Sequence, residues 1–147
     1  MAIAWRTDYA LRLMYETACL GEGGMASVTK LAERAGVPYD FARQIANRLA
    51  HQGLLVSRRG SKGGFALARP AEQITCLEIF QAMDETPSMS LCNEESNLCA
   101  RVEVCPMHHA IWLPLDRLIV EHLAGLTLAE AVARGDALKR EVARSAH

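Results

Sequence analysis

Three cysteines lie close together in the second half of the chain, in a stretch without helical or strand periodicity. They are Cys92, Cys99 and Cys105, separated by six and five residues. Thiolates are soft ligands that suit iron–sulfur clusters, zinc and copper(I). Structural zinc sites usually contain close pairs such as Cys-x2-Cys, and no such pair occurs here. The wide spacings favour an iron–sulfur cluster. A zinc site, a cofactor-free thiol switch and three unrelated thiols are the alternatives.

The first half of the chain is rich in cationic side chains, which is the second feature that points to a function. Residues 1–70 carry ten Lys/Arg and five Asp/Glu, which gives a net charge of +5, whereas residues 71–147 carry six and twelve, which gives −6. A basic half joined to an acidic half indicates that only the first part faces a polyanion.

The elements that would position this basic surface are predicted from local signals. A first helix over about residues 7–19 is followed by two short helices at 28–35 and 38–52. Ser27 suits the N-cap of the second helix, and Gly36 suits the left-handed position after its end. Two short helices joined by such a turn form a helix-turn-helix pattern. The predicted buried stripe of the third helix is Phe41, Ile45 and Leu49, flanked by Ala42 and Ala46.

The other face of the third helix and the segment after it carry side chains that suit DNA. The pattern of residues 53–68 predicts two short strands around a glycine-rich basic turn. A hairpin that directly follows a helix-turn-helix is a wing. Arginine pairs well with guanine, and Asn or Gln with adenine. Arg48 is left out because it can pair with a carboxylate instead. The predicted DNA-contacting residues are Tyr39, Arg43, Gln44 and Asn47 in the helix and Arg58, Arg59, Ser61 and Lys62 in the wing.

The second half is predicted to contain three further helices around the cysteine segment. Capping boxes at 75–78 and 127–130 each open a helix, the second a short one before a frayed tail. Between them a long helix is expected over about 106–124, and Pro114 either bends it or marks the start of its regular part. Its apolar seam is Ile111, Leu115, Leu118, Ile119 and His122 or Leu123.

Several function classes are disfavoured by composition. No run approaches the ~18 apolar residues of a membrane helix, and the first residues lack the features of a secretory signal. We therefore expect a cytoplasmic protein with no membrane partner. No catalytic motif accompanies the cysteines, so we expect neither an enzyme nor a small-molecule substrate. Cys19 and Cys76 fall in predicted helices and are interpreted as small buried apolar residues.

The order of elements and several strings resemble one family, the Rrf-type winged-helix iron–sulfur regulators typified by IscR, NsrR and RirA. The strings are Thr-Asp-Tyr-Ala-Leu-Arg at 7–12, the basic wing at 58–69, the three cysteines and Leu-Thr-Leu-Ala-Glu at 126–130. The resemblance covers roughly residues 4–133. It implies a mainly α fold with a small β-hairpin wing and a long C-terminal dimerisation helix. It also implies a homodimeric repressor on a palindromic operator in double-stranded DNA.

The resemblance further implies a cluster whose state controls DNA affinity. The first cysteine gap is six residues, where many members have five. His108 has the spacing of the fourth ligand in IscR-like members, and Asp8 occupies the place of the carboxylate that NsrR-like members donate across the dimer. We favour Asp8, and with it a 4Fe–4S nitric-oxide sensor, over a 2Fe–2S cluster or a sensor of redox state or iron–sulfur status. The expected divisions are residues 1–70 for the DNA-binding winged helix-turn-helix, 71–106 for a connecting helix and the cysteine cluster loop, and 107–147 for the dimerisation helix and the C-terminal tail.

Overall fold

Three helices and a two-stranded hairpin form the first half of the computed structural model, which describes residues 3–89, 92 and 99–145. The hairpin is antiparallel and pairs Leu55 with Leu67. This arrangement confirms the predicted winged helix-turn-helix. The elements are α1 (Trp5–Ala18), α2 (Val28–Ala35), α3 (Tyr39–His51), β1 (Leu55–Arg58) and β2 (Gly64–Leu67).

The turn between α2 and α3 follows from its capping residues. The Ser27 side chain accepts a hydrogen bond from the Lys30 N–H at 3.3 Å, which satisfies one of the unpaired donors at the start of α2. Gly36 ends the helix in the left-handed conformation, with φ 63° and ψ 38°. A residue without a Cβ adopts this conformation at no steric cost, so the chain reverses there and α3 begins at Tyr39.

Two backbone hydrogen bonds join the wing to the loop before α2. Phe65 N–H donates to Ala26 O at 2.8 Å, and Ala26 N–H donates to Phe65 O at 3.1 Å. Gly64, at φ 138°, lies directly against this pairing, because a Cβ there would lie 2.1 Å from Ala26 O. Only glycine fits, which fixes the hairpin against the loop before α2.

One prediction about the core of α3 is wrong. Ala42, Ile45, Ala46 and Leu49 are buried as predicted, but the Phe41 side chain is 38% exposed. Its ring packs edge-on against that of Trp5, with ring centroids 4.5 Å apart. Trp5 is itself 53% exposed. Phe41 therefore lies at the rim of the α1–α3 contact, where helical periodicity alone does not distinguish it from the core.

In the described part of the second half, three α-helices are joined by irregular connections. The predicted long helix contains a π-helical turn at His108–Trp112, and its regular α-helical part begins at Leu113, next to Pro114. Pro114 has helical residues on both sides, and the π-helical turn before it is a local adjustment of the kind that accommodates the missing N–H of a proline. This is the second of the two outcomes considered for Pro114. The elements are a 3-10 turn (Ala71–Gln73), α4 (Cys76–Ala82), a 3-10 turn (Val102–Val104), a π-helical turn (His108–Trp112), α5 (Leu113–Gly125) and α6 (Leu128–Ser145).

The prediction of a short last helix is also wrong, because α6 has 18 residues. Its start is the predicted capping box: the Glu130 carboxylate accepts the Thr127 N–H at 3.0 Å. Its length is explained by packing on α1. The Tyr15 hydroxyl lies 3.3 Å from Asp136 Oδ1, and Lys139 Nζ lies 4.9 Å from the centroid of the Tyr15 ring. These contacts join residues more than a hundred positions apart, which local sequence signals do not report.

No helix in the described part of the chain is long and apolar enough to cross a bilayer.

Candidate functional site

The exposed face of α3 carries all four side chains that the sequence assigns to DNA. Tyr39, Arg43, Gln44 and Asn47 are exposed, while the opposite side of the helix is buried. Their spacing of about one helical turn places them along a single surface strip. A strip of one cation, two amides and a phenol can read base edges in a major groove.

The wing adds a basic tip beside this strip. Arg58, Arg59, Ser61 and Lys62 are all exposed. The tight turn depends on Gly63, where a Cβ would lie 2.2 Å from the Arg58 carbonyl oxygen. Three cations on a turn with freely accessible side chains suit contacts to phosphates, which orient a protein on DNA without reading its sequence.

Arg48 lies on α3 but is committed to another part of the protein. Its Nε donates to the carbonyl oxygen of Ala82 at 2.6 Å, and its guanidinium forms an ion pair with Asp84. This pairing with a carboxylate is the reason for which the sequence analysis left Arg48 out of the DNA-contacting set.

The cysteines fall into two classes of environment. Burial raises the pKa of the Cys76 thiol and of the Cys19 thiol, which keeps both thiols protonated. Cys76 is buried in the first turn of α4, as predicted, but Cys19 lies directly after the end of α1 and is half-buried, so the prediction of a buried helical residue is wrong for Cys19. Cys92, Cys99 and Cys105 are half-buried, and Cys99 and Cys105 lie outside the α-helices and strands. Within residues 3–89, 92 and 99–145, no three Cys, His, Asp or Glu side chains are gathered closely enough to hold a metal ion.

The two candidates for a fourth ligand differ in their surroundings. Asp8 lies on α1 and pairs with Arg12 at 2.7 Å, with both side chains about half exposed. His108 is 6% exposed, and its Nδ1 is buried without a hydrogen-bond partner among the described residues. The neighbouring His109 is engaged, because its Nε2 lies 2.9 Å from the Glu103 carbonyl oxygen. An unpaired buried ring nitrogen is costly unless something binds it.

Residues 84–89, which we call the connector, join α4 to the cysteine segment and are held at several points. Besides the Arg48–Asp84 pair, Glu85 accepts the Ala4 N–H at 3.1 Å and forms a short hydrogen bond with the Thr7 hydroxyl. Glu85 therefore binds the N-terminal end of α1, where a carboxylate is favoured by the helix dipole.

The far end of the connector is held by α5. The Asp116 carboxylate is 6% exposed and accepts the Ser88 hydroxyl at 2.8 Å and the Met89 N–H at 2.7 Å. The connector thus contacts α1 and α3 at one end and α5 at the other. The chain reaches Cys92 only three residues after Met89.

Similarity to known proteins decides the class of this molecule. The Rrf2 family model, described as an iron-dependent transcriptional regulator, matches residues 3–134. The transcriptional regulator IscR of Cronobacter sakazakii is 30% identical over 132 residues, which is 90% of this chain and 80% of that protein. The chain belongs to the Rrf2 family.

Solved structures with this Rrf2 fold superpose on nearly the whole chain. The structure of CymR, the global cysteine regulator of B. subtilis, matches with a TM-score of 0.74 at 24% identity and covers 91% of this chain and 98% of its own. IscR of T. potens matches with a TM-score of 0.73 at 22% identity, over 92% and 88% of the two chains. At these identities the likeness shows the fold alone.

Membership of the Rrf2 family confirms the coarse function predicted from the sequence. The protein is a DNA-binding transcription regulator with a winged helix, and the family is not one of enzymes. Sequence reasoning missed the connector contacts of this Rrf2 protein. Asp84, Glu85 and Asp116 are ordinary acidic residues in the printed sequence, and their partners are 27 to 81 positions away, so no local pattern marks them.

Proposed function

We propose that this protein is a repressor whose affinity for its operator is set by an iron–sulfur cluster bound by Cys92, Cys99 and Cys105. The observation that carries the proposal is the connector. It leads directly to the first of these cysteines and is hydrogen-bonded to the DNA-binding helices and to α5. A rearrangement at the cysteines would therefore alter contacts with both the DNA-binding helices and α5.

The donor set suits such a cluster. Three half-buried thiols precede α5 in the chain, and soft thiolates at wide spacings are the usual ligands of iron–sulfur clusters. A bound cluster would supply a group that reacts with nitric oxide and oxidants. Cys92, Cys99 and Cys105 would hold that group in the segment that follows the connector.

For the fourth position the contacts within one chain favour His108 over Asp8. The buried Nδ1 of His108 lacks a partner among the described residues, whereas Asp8 is already paired with Arg12. Asp8 was favoured from the sequence and stays the alternative, in which it would leave Arg12 and bind the cluster of a partner subunit. Asp8→Ala and His108→Ala proteins, purified anaerobically, separate the two through iron content and cluster lifetime.

We also propose that the protein acts as a homodimer on palindromic DNA. Ile111, Trp112 and Leu118 are 48%, 38% and 62% exposed, which is an unusually apolar surface for α5 and the turn before it. A groove of about 380 Å³ beside this surface is lined mainly by apolar side chains. A second copy would cover both, which leaves residues 1–70 for DNA, 71–106 for the connecting helix and the cluster, and 107–147 for the dimerisation helix and the C-terminal tail. This assignment places the protein in the cytoplasm, where DNA and reduced thiols coexist.

A second candidate is a regulator of the same fold that uses the thiols without a cluster, either as a thiol switch or with zinc. One observation favours the thiol switch: a structural neighbour of the same fold is a cysteine regulator.

Anaerobic purification followed by a visible spectrum and by iron, sulfide and zinc analysis separates the candidates. We expect a brown protein with broad absorption at the blue end of the spectrum and stoichiometric iron and sulfide. Titration with nitric oxide, oxidant or an iron chelator then distinguishes the signals. A colourless protein with intact DNA binding would reject the cluster in favour of the thiol switch, or of zinc if that metal is found.

A further inference from the structure

Arg48 lies on α3, but its side chain contacts the end of α4. Arg43 and Asn47, on the same helix, are exposed on the predicted DNA-contacting face. Arg48 instead uses two nitrogens of its guanidinium to bind the Ala82 carbonyl oxygen and the Asp84 carboxylate. The planar fork of an arginine can hold two such acceptors in a fixed geometry, which a lysine cannot do.

The acceptors are set up by the backbone at the end of α4. Ala82 is the last residue of α4, so its carbonyl oxygen lacks a helical partner and lies at the negative end of the helix. Asp84, two residues later, adopts φ 54°, and it is the one non-glycine residue with positive φ in the part of the chain that the structure describes. This left-handed turn starts the connector and brings the carboxylate to Arg48.

We propose that Arg48 is a positioning residue for the DNA interface, which fixes the orientation of α3 by joining it to the end of α4 and the start of the connector. It contacts protein rather than DNA. The link provides a route by which the connector acts on α3, and this regulatory part rests on the proposed function. The positioning role itself needs only the DNA binding that the family establishes.

A direct phosphate contact is the rival role, since the Arg48 side chain is 41% exposed. The two roles predict opposite results for two substitutions. Arg48→Lys keeps the charge, so a phosphate contact would survive it, but the two-acceptor geometry is lost. Asp84→Gly suits the positive φ and removes a negative charge. It would strengthen binding if Arg48 were thereby released to DNA, and weaken binding if Asp84 holds Arg48 in place.

The test uses full-length protein and two DNA probes. One is a duplex that the wild-type protein selects from a random-sequence library, and the other is poly(dI-dC). We expect Arg48→Lys and Asp84→Gly each to weaken binding to the selected duplex about tenfold, as for loss of a charged hydrogen bond. Binding to poly(dI-dC) and its salt dependence should stay unchanged, because the phosphate contacts remain.

A matched control is available in Arg34→Lys. Arg34 is also 41% exposed and pairs through Nε with Glu16 at 3.0 Å, but it lies on α2. We expect wild-type affinity from this variant. Wild-type affinity from Arg48→Lys, or tighter binding by Asp84→Gly, would overturn the positioning role. Wild-type protein measured with and without its cluster tests the proposed function separately, because a lack of any cluster effect would leave the contrast between Arg48 and Arg34 intact.

Discussion

The winged helix and the segment around Cys99 and Cys105 differ in how their polar groups are satisfied. In the winged helix the start of α2 is capped, its end is closed by Gly36, and the wing is paired with the loop before α2. The cysteine side has a 3-10 turn, a π-helical turn and a buried His108 nitrogen without a partner among the described residues. The polar groups of the winged helix are thus satisfied within the chain, while the cysteine side has a buried ring nitrogen that the proposed cluster would bind.

This contrast predicts that substitutions on the two sides have separable effects. Changes at the cysteines should alter the bound cofactor and leave the winged helix folded. Changes on α3 or in the wing should alter DNA binding and leave the cofactor in place. Four predictions test this separation, from the largest effect to the smallest.

Serine at Cys92, Cys99 or Cys105 should abolish the cluster or leave it severely unstable, because a hydroxyl is a poor substitute for a thiolate ligand. The measurement is iron and sulfide content with the visible spectrum, on anaerobically purified protein. Cys19→Ser and Cys76→Ser are the controls, since burial raises the pKa of both thiols and neither lies in the cysteine segment. A normal spectrum from Cys99→Ser, or loss of the cluster from Cys19→Ser, would refute the ligand assignment.

Leu118→Asp should break the dimer, because the interface would then bury a charge without a partner, at a cost of about 3–5 kcal/mol. Sedimentation at micromolar concentration reports the change from dimer to monomer. Leu138→Asp is a matched control: Leu138 is 61% exposed, against 62% for Leu118, but it lies on α6. A monomeric wild-type protein would remove the proposed interface, and so would a dimeric Leu118→Asp variant.

Arg43→Ala should cost about 1–3 kcal/mol of binding free energy and relax the preference at one base pair. Arg59→Ala in the wing should weaken binding to all duplexes evenly, because phosphates carry no sequence information. Competition binding with single-base variants of a selected duplex measures both effects. If Arg43→Ala bound that duplex as the wild type does, the assigned face of α3 would be incorrect.

Thr75→Ala should lower the free energy of unfolding by about 1 kcal/mol, the usual effect of losing an N-cap. In this capping box burial raises the pKa of Glu78, but hydrogen bonds from Thr75 and Arg69 outweigh it and hold that pKa below its ordinary value. A lowered folded-state pKa adds stability at neutral pH, which is lost as the pH falls through that value. Urea unfolding between pH 7 and pH 3 should show a shallower acid loss for Glu78→Gln. An unchanged slope would mean that the box contributes little.

The winged helix could be predicted because its signals are local. Ser27, Gly36 and Gly63 each meet a backbone requirement set by residues within about five positions of themselves, whereas Gly64 is required by its contact with the distant Ala26. The exposed strip on α3 followed from helical spacing in the same way. Phe41 was misplaced because spacing identifies a face but not whether an aromatic ring lies at its centre or its rim.

The rest of the molecule depends on distant pairs. The length of α6 rests on contacts with Tyr15, and the connector is held by Arg48, Thr7 and Asp116 across 27 to 78 positions. The sequence identifies Asp116 only as an acidic residue. Its burial becomes evident only in the folded structure, where α5 packs beside the connector. The cysteine spacing and the family resemblance indicate the ligand candidates, and the choice between Asp8 and His108 stays a proposal argued from their surroundings.

The central claim is that the state of the cysteine segment sets DNA affinity, and one measurement tests it most directly. Anaerobically purified wild-type protein is titrated with a library-selected duplex before and after the cluster is destroyed with nitric oxide. A Cys99→Ser protein given the same treatment serves as the control. We predict that the affinity of the wild-type protein changes at least tenfold while that of Cys99→Ser does not respond. Equal affinities of the wild-type protein before and after cluster loss would contradict the account.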